Sequence, residues 1–442
     1  GHGCAQSIRR PPCIGLVVVH IEEMPAGPQH AGHSPTPGCG AVPKLPVIVL
    51  TGYLGAGKTT LLNYMLQEQR DKKMAVIENE VGEVSIDDAL VDQKHADMAE
   101  ELVVLDNGCI CCTIRGDLVK TLISLAEKKR KARTALDGVL IELTGVADPA
   151  PVVQTFFMNA EVRSHYYIDN VVALVDAKHA IEKLDESKGD PEEKGTACAQ
   201  IAFSSTVLLN KTDLVEASEL DHVERRIKGL NSTVEIIRCQ QARVPVAKLF
   251  SVRAFNLEKV LNEQYMDEEE FNTLYKPKMD RSVSNVGVRC EGAISMFAFQ
   301  HFLNSLLGDE EDAKDFLRVK GVLHIAGSND KFVLQCVHML KNQAFTVPWA
   351  DGEPRENRII FIGRGMQQRR EALTKGFKAC VAKPLRFAIG AKVKAKTGPG
   401  ENDYTLGRVQ AHWDECSAYR IDLGGGDEVH APIDEDCFVK AG

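Results

Sequence analysis

The sequence predicts an α/β protein: a mostly parallel sheet, then a small α+β unit, then a small all-β barrel. Three observations predict it. From Pro46 onward, short apolar runs alternate with amphipathic stretches of helical period. Beyond a charged stretch around Asp267–Glu270, strands group around two helical patterns. After Phe387, short alternating runs are cut by Gly390, Gly398, Gly400, Gly407 and the Gly424-Gly425-Gly426 triplet.

The expected strands of the first unit are Val47–Leu50, Ala75–Ile77, Leu102–Leu105, Gly138–Ile141, Val171–Val175, Val207–Leu209 and Val234–Ile237. They are continuous apolar runs rather than alternating ones, so both faces should be covered, as in a parallel sheet. Thr59–Glu68 and Asp117–Lys129 read as covering helices. This domain spans 45–262, and a charged linker follows at 263–282. The α+β unit spans 283–383. It is read as strand Val283–Arg289, helix Met296–Leu307, strands Leu317–Ile325, Phe332–Val337 and Ile359–Ile362, and helix Gln367–Val381. The barrel spans 387–442, with runs at Lys392–Lys396, Gly407–His412 and Tyr419–Leu423.

Composition narrows the class. A net charge of −9 argues against broad nucleic-acid binding. No apolar run approaches the roughly 18 residues of a membrane span. Thirteen irregularly spaced cysteines in a long chain do not make a disulfide scaffold. A reducing, cytoplasmic setting is therefore expected, with clustered thiols read as metal ligands or reactive groups. Residues 1–44, rich in Pro, Gly and His, read as a disordered or non-native extension. Initiation at Met24 and a targeting peptide for a plastid or other organelle are the two accounts of it.

Gly52-Tyr53-Leu54-Gly55-Ala56-Gly57-Lys58-Thr59 is a complete G-x-x-x-x-G-K-[ST] pattern between an expected strand and an expected helix. Backbone N–H groups of such a loop cradle phosphate oxygens, so Gly52, Gly55, Ala56, Gly57, Lys58, Thr59 and Thr60 are phosphate-binding candidates. Lys58 should reach the β- and γ-phosphates, and the Thr59 hydroxyl should bind Mg²⁺. Asn210-Lys211-Thr212-Asp213 follows another expected strand. A carboxylate there can take two hydrogen bonds from guanine that adenine cannot supply, which selects GTP through Asn210, Lys211 and Asp213. Glu142-Leu143-Thr144-Gly145 ends a third strand. Glu142 can orient the Mg²⁺ shell or the attacking water, and the Gly145 N–H can approach the γ-phosphate. Lys58, Thr59, Glu142 and Gly145 form the catalytic set.

Cys109, Cys111 and Cys112 lie within four residues, between a strand and a helix near Asp117 and one strand from the phosphate loop in the expected sheet. A helix N-terminus and a bound cation both favour thiolate. Tetrahedral zinc wants four ligands, so three thiols leave a position for water, a carboxylate or a receiving protein, which suits transfer. Buried core thiols and a redox dithiol are the alternatives. The acidic run Glu78–Asp88 contains Glu78 and Glu83, which could serve either metal or merely form a solvated loop.

Together these residues resemble the CobW-like family of metallochaperone GTPases. The resemblance rests on Leu50–Leu62, Glu78–Asp88, Asn107–Cys112, Ile141–Pro151, Val175–His179 and Leu209–Leu214. Arg318–Gly321, Gln335–His338, Pro348-Trp349 and Phe361–Arg364 match the family's C-terminal domain. The resemblance implies hydrolysis of GTP with Mg²⁺, and binding of Zn²⁺ or a similar metal such as Co²⁺ at Cys109, Cys111 and Cys112. It also implies Glu78 and Glu83 as candidate carboxylate partners and delivery of the metal to a client protein that requires it. Two departures stand out: Val81 replaces the usual Phe, and no His-rich insertion separates the domains. The tail resembles SH3-like or Tudor-like barrels, which implies a peptide partner. A homodimer stays open; nucleic acid and membrane are not expected as partners. The competing readings are a regulatory or scaffold GTPase with structural or redox cysteines, and a cobalt chaperone linked to cobalamin synthesis.

Overall fold

The computed structural model describes residues 43–68, 72–80, 101–106, 113–132, 136–185, 196–261, 283–308, 313, 315–337 and 340–442. The N-terminal extension, the 263–282 linker, Glu83, Cys109, Cys111, Cys112 and His338 lie outside the described residues. Glu78 is described in its backbone alone.

Seven strands form the first sheet: β1 (Leu45–Gly52), β2 (Met74–Glu80), β3 (Glu101–Asp106), β4 (Gly138–Glu142), β5 (Tyr166–Asp176), β6 (Thr206–Asn210) and β7 (Glu235–Arg238). Their order is β3-β2-β4-β1-β5-β6-β7, and every pairing is parallel. Successive side chains of β1 go to opposite faces. Ile48 and Leu50 pack with Leu61, Leu62 and Met65 of α1 (Lys58–Glu68). Val47 and Val49 join the other face, with Leu118 and Leu122 of α2 (Thr113–Ala132). The remaining helices of this unit are α3 (Ala150–Met158), α4 (Ala160–His165), α5 (Ala180–Asp185), α6 (Thr196–Phe203), α7 (Ala217–Leu230) and α8 (Leu257–Leu261). Among the described residues, no helix is long and apolar enough to cross a membrane.

Two expectations need correction. β5 is eleven residues long, because Asp169 and Asn170 continue it while fully buried. Their polarity is met in part inside the core: Asp169 Oδ1 accepts the Arg253 N–H at 2.8 Å while its Oδ2 has no partner among the described residues, and Asn170 donates to the Leu249 carbonyl at 3.2 Å. The strand leading to the cysteine segment is not one strand from the phosphate loop. β3 is three positions from β1, about 14 Å along the sheet. It still points the same way, so both chains leave from the same carboxyl edge.

The second sheet is antiparallel and holds β8 (Val283–Cys290), β9 (Phe316–His324), β10 (Asp330–Val337), β11 (Leu340–Pro348) and β12 (Asn357–Arg364), in the order β11-β10-β9-β12-β8. α9 (Met296–Leu307) and α10 (Met366–Lys378) cover one face, through Phe299, Leu303 and Phe377. The other face, with Leu317, Val322, Val333 and Ile360, belongs to the same apolar cluster as Phe203, Leu230 and Val260 of the first unit. α10 stops short of Val381, which instead bridges to Ile294.

A third sheet holds β13 (Lys392–Lys396), β14 (Tyr404–Asp414), β15 (Ser417–Gly424), β16 (Asp427–Ala431) and β17 (Val439–Ala441), all antiparallel, in the order β16-β15-β14-β13-β17. It has its own small core of Val393, Val409, Tyr419, Ile421 and Val439. The Tyr419 ring is fully buried, and its hydroxyl accepts the Phe387 N–H at 3.1 Å.

Candidate nucleotide site

In a parallel sheet, ligands gather where the strands end at their carboxyl edge. β1, β4, β5 and β6 all deliver candidate residues there. After β1 the chain turns through Gly52–Gly57 into α1. Gly52, Gly55 and Gly57 have φ of 135°, 76° and 108°, a region that L side chains rarely adopt. A Cβ at Gly52 would lie 2.3 Å from the Leu174 carbonyl oxygen, and one at Gly57 would lie 2.7 Å from the Asn210 amide nitrogen. Only glycine lets the loop close this tightly on its neighbours.

Lys58 is buried, and its ammonium donates to the Gly52 carbonyl at 2.9 Å and to that of Tyr53 at 3.4 Å. The cation is thus folded back over the loop it would share with phosphate. The Thr59 hydroxyl donates to Glu142 Oε1 at 2.9 Å. A hydroxyl and a buried carboxylate held together at the loop's end form a hard-oxygen pair suited to Mg²⁺. Gly145 packs its backbone against the loop: a Cβ there would lie 2.6 Å from the Leu54 nitrogen. Asp148, which follows, accepts the Ala150 N–H at 2.8 Å and starts α3. Thr60 is exposed one residue beyond Thr59.

Asn210 has a structural task that its motif does not reveal. It is 2% exposed, donates to the Ala56 carbonyl at 2.9 Å and accepts the Ala242 N–H at 2.9 Å. It ties the phosphate loop to the loop after β7. Lys211, at φ 60°, donates to Asp176 Oδ2 at 2.8 Å. Burial alone would push the Asp176 carboxyl up, but hydrogen bonds from Lys211, His179 and the Lys178 N–H hold it below its ordinary value. Asp213 is exposed on the short 3₁₀ turn Thr212–Leu214.

Sequence reasoning missed Gln200. This buried residue of α6 donates to the Gly145 carbonyl at 3.1 Å and to that of Ala147 at 3.2 Å, fixing the loop after β4. A cavity of about 130 Å³ lies beside it, lined by Tyr53, Leu54, Asp176, His179 and Lys183. Among the described residues, no three His, Cys, Asp or Glu side chains are placed to hold a metal. The described thiols are largely buried packing groups. Burial pushes Cys239 up to about 11 and Cys336 up to about 12, far from thiolate at neutral pH.

The family profile of the CobW/HypB/UreG nucleotide-binding domain matches residues 46–238, and that of the cobW C-terminal domain matches 283–381. The chain is 34% identical over 317 residues to the zinc chaperone YjiA of Escherichia coli, an alignment covering 72% of this chain and 93% of that one. The chain belongs to the CobW/HypB/UreG family of P-loop GTPases. Other family members agree. It is 29% identical over 367 residues to the zinc chaperone CobW of Pseudomonas aeruginosa, covering 78% of this chain and 92% of that one. It is 26% identical over 355 residues to zinc-regulated GTPase metalloprotein activator 1 of Saccharomyces cerevisiae, covering 74% and 81%. The crystal structure of Zn(II)-bound YjiA superposes with a TM-score of 0.59 at 28% identity, covering 77% of this chain and 99% of that one. The CobW profiles end at residue 381, so the terminal barrel lies outside both.

Proposed function

We propose that this CobW-family GTPase binds zinc through Cys109, Cys111 and Cys112, with Glu78 and Glu83 as carboxylate partners, and releases it to a client protein when GTP is hydrolysed. One observation carries the reading. β1, β2, β3 and β4 run parallel and end at one edge, so the phosphate loop, Glu78, the chain entering the cysteine segment and Glu142 share it. Glu78 is in direct register with Glu142 on β4, whose side chain accepts the Thr59 hydroxyl. The names of the relatives, two zinc chaperones and a zinc-regulated activator, point to the same cargo.

A bound Mg²⁺ would be held by the Thr59 hydroxyl, with Glu142 accepting hydrogen bonds from its shell, and would neutralise charge on the phosphates. Lys58 would give its ammonium to the β- and γ-phosphates in exchange for the Gly52 and Tyr53 carbonyls. Gly145 would offer its N–H from the opposite wall. Asp213, exposed at the rim, is free to turn toward a guanine base, while Asn210 holds the two loops that frame it.

Nucleotide and metal would then order neighbouring loops, and their affinities must be coupled reciprocally. Zn²⁺ affinity, measured by competition with a chromophoric chelator, should be about tenfold tighter with a GTP analogue and Mg²⁺ than with GDP. Replacing Cys111 and Cys112 with Ser should abolish that difference and any zinc-stimulated turnover. Equal affinity in both nucleotide states would overturn the coupling and leave a regulatory GTPase whose thiols serve other ends.

A further inference from the structure

At the opposite end of β1 and β5 from the nucleotide, the first and second sheets enclose a groove of about 620 Å³. Its floor is aromatic. Phe156, Tyr166 and Phe255 are buried, and Phe157 meets Phe255 edge-on with ring centroids 5.4 Å apart.

Four cations line the same groove: Lys44 just before β1, Arg163 on α4, Arg253 before α8 and Lys341 on β11. No Asp or Glu is among the lining residues. Among the described residues, none of the four cations forms an ion pair. Their contacts are neutral. Arg163 donates to the Phe157 carbonyl, Lys341 to the Asn304 side chain and Arg253 to the Tyr167 hydroxyl. Asp169 is fully buried and accepts the backbone N–H of Arg253 rather than its guanidinium.

Elsewhere among the described residues of this acidic chain, some exposed cations are paired and others, such as Lys392 and Lys394, are not. Arg386 holds Asp434 and Asp436, Arg369 holds Asp315, and Arg238 holds Asp221 and Glu224. Four cations around one groove with no acidic lining residue favour an anionic occupant, and the aromatic floor favours one with an apolar anchor. The net charge of −9 repels a polyphosphate backbone, which favours an acidic polypeptide.

We propose that this groove docks an acidic peptide segment of a partner protein, with an aromatic or large apolar side chain seated against Phe255 and flanking carboxylates on Lys44, Arg163, Arg253 and Lys341. β5 separates the groove from the nucleotide edge by its whole length, about 35 Å, so docking does not require the phosphate loop to change. Nor does the proposal depend on the metal, so its failure would leave the chaperone reading standing.

The test uses the full chain and a fluorescein-labelled Glu-rich peptide with interspersed Phe, followed by anisotropy. A peptide with Gln for Glu and a single-stranded RNA of matched charge serve as comparators. The expected result is salt-sensitive binding of the acidic peptide alone. Arg253→Glu with Lys341→Glu should weaken it by about tenfold or more, with GTP turnover unchanged. Lys392→Glu with Lys394→Glu, on the barrel, should leave it intact. Equal binding by the reversed groove, equal binding of the Gln peptide, or tighter RNA binding abolished by the same reversal would each overturn the proposal. If the reversed protein folds poorly, a benzophenone on the peptide decides with the wild-type chain. Cross-links to Phe157, Tyr167 or Phe255 support the groove, and cross-links confined to other surfaces refute it.

Discussion

Where the second sheet packs on the GTPase sheet, one apolar cluster passes through both, and charged groups are sealed inside the seam. Arg318 of β9 is 1% exposed, donates to the Ser204 carbonyl at 3.2 Å and that of Ala254 at 3.4 Å, and lies 5.0 Å from the Phe255 ring centroid. Asn285 of β8 donates to the Gly229 carbonyl at 2.7 Å. Where the same sheet meets the terminal barrel, the contact is thin. Phe297 meets Phe438 edge-on at 5.4 Å, and the Trp413 carbonyl comes down on Gly327. Cys416 also packs against the core of the second sheet, and a cleft of about 590 Å³, lined by His324, Arg355, Lys383 and Trp413, lies beside these contacts. The barrel also keeps a core of its own. The first seam is built like a domain interior and the second like a transient interface. The GTPase sheet and the second sheet should therefore unfold as one unit, and the barrel as another.

The sharpest way to break that contrast is Arg318→Ala. It removes the donor from two buried carbonyls and leaves a cavity, so stability of the joined unit should fall by about 3–5 kcal/mol. Denaturant titration measures it; a loss below about 1 kcal/mol would mean the seam is wet and the two sheets are separable. Asn285→Ala should cost less, about 1–2 kcal/mol, in the same transition. Gly327→Ala probes the other seam. Its Cβ would lie 2.0 Å from the Trp413 carbonyl oxygen, and its φ of 84° disfavours a side chain. The barrel should shift, with a change in tryptophan fluorescence, while the main transition moves by about 1 kcal/mol or less. If Gly327→Ala destabilised the chain as much as Arg318→Ala, the barrel would have to be counted part of the first unit.

The sequence made the phosphate loop legible because its chemistry is local. Glycines at fixed offsets, Lys58 and Thr59 act within one turn of chain. The meaning of Asn210 was only half legible: its partners, Ala56 and Ala242, lie 154 and 32 residues away. The motif marked it as nucleotide-binding and gave no sign that it also ties two loops together. Gln200 gave no signal, since one polar residue in an apolar helix looks like a gap in a pattern. The first five of the eleven residues of β5 hid behind Asp169 and Asn170, polar residues that a buried strand rarely holds unless distant backbone groups bond them. β11 was missed because it is an edge strand with polar Lys341, Asn342 and Gln343, and it shows no apolar run.

Helix α6 has a consequence for how this machine could keep time. Near its middle, Gln200 grips the carbonyls of Gly145 and Ala147; just past its end, the Ser204 carbonyl receives the Arg318 guanidinium. A rod two turns long thus joins the loop that would touch a γ-phosphate to the sealed interior of the second sheet. Buried hydrogen bonds at both points leave little slack. A shift of Gly145 on loss of phosphate must be absorbed at Gln200 or carried along the rod to Arg318, and a packed core resists absorbing it.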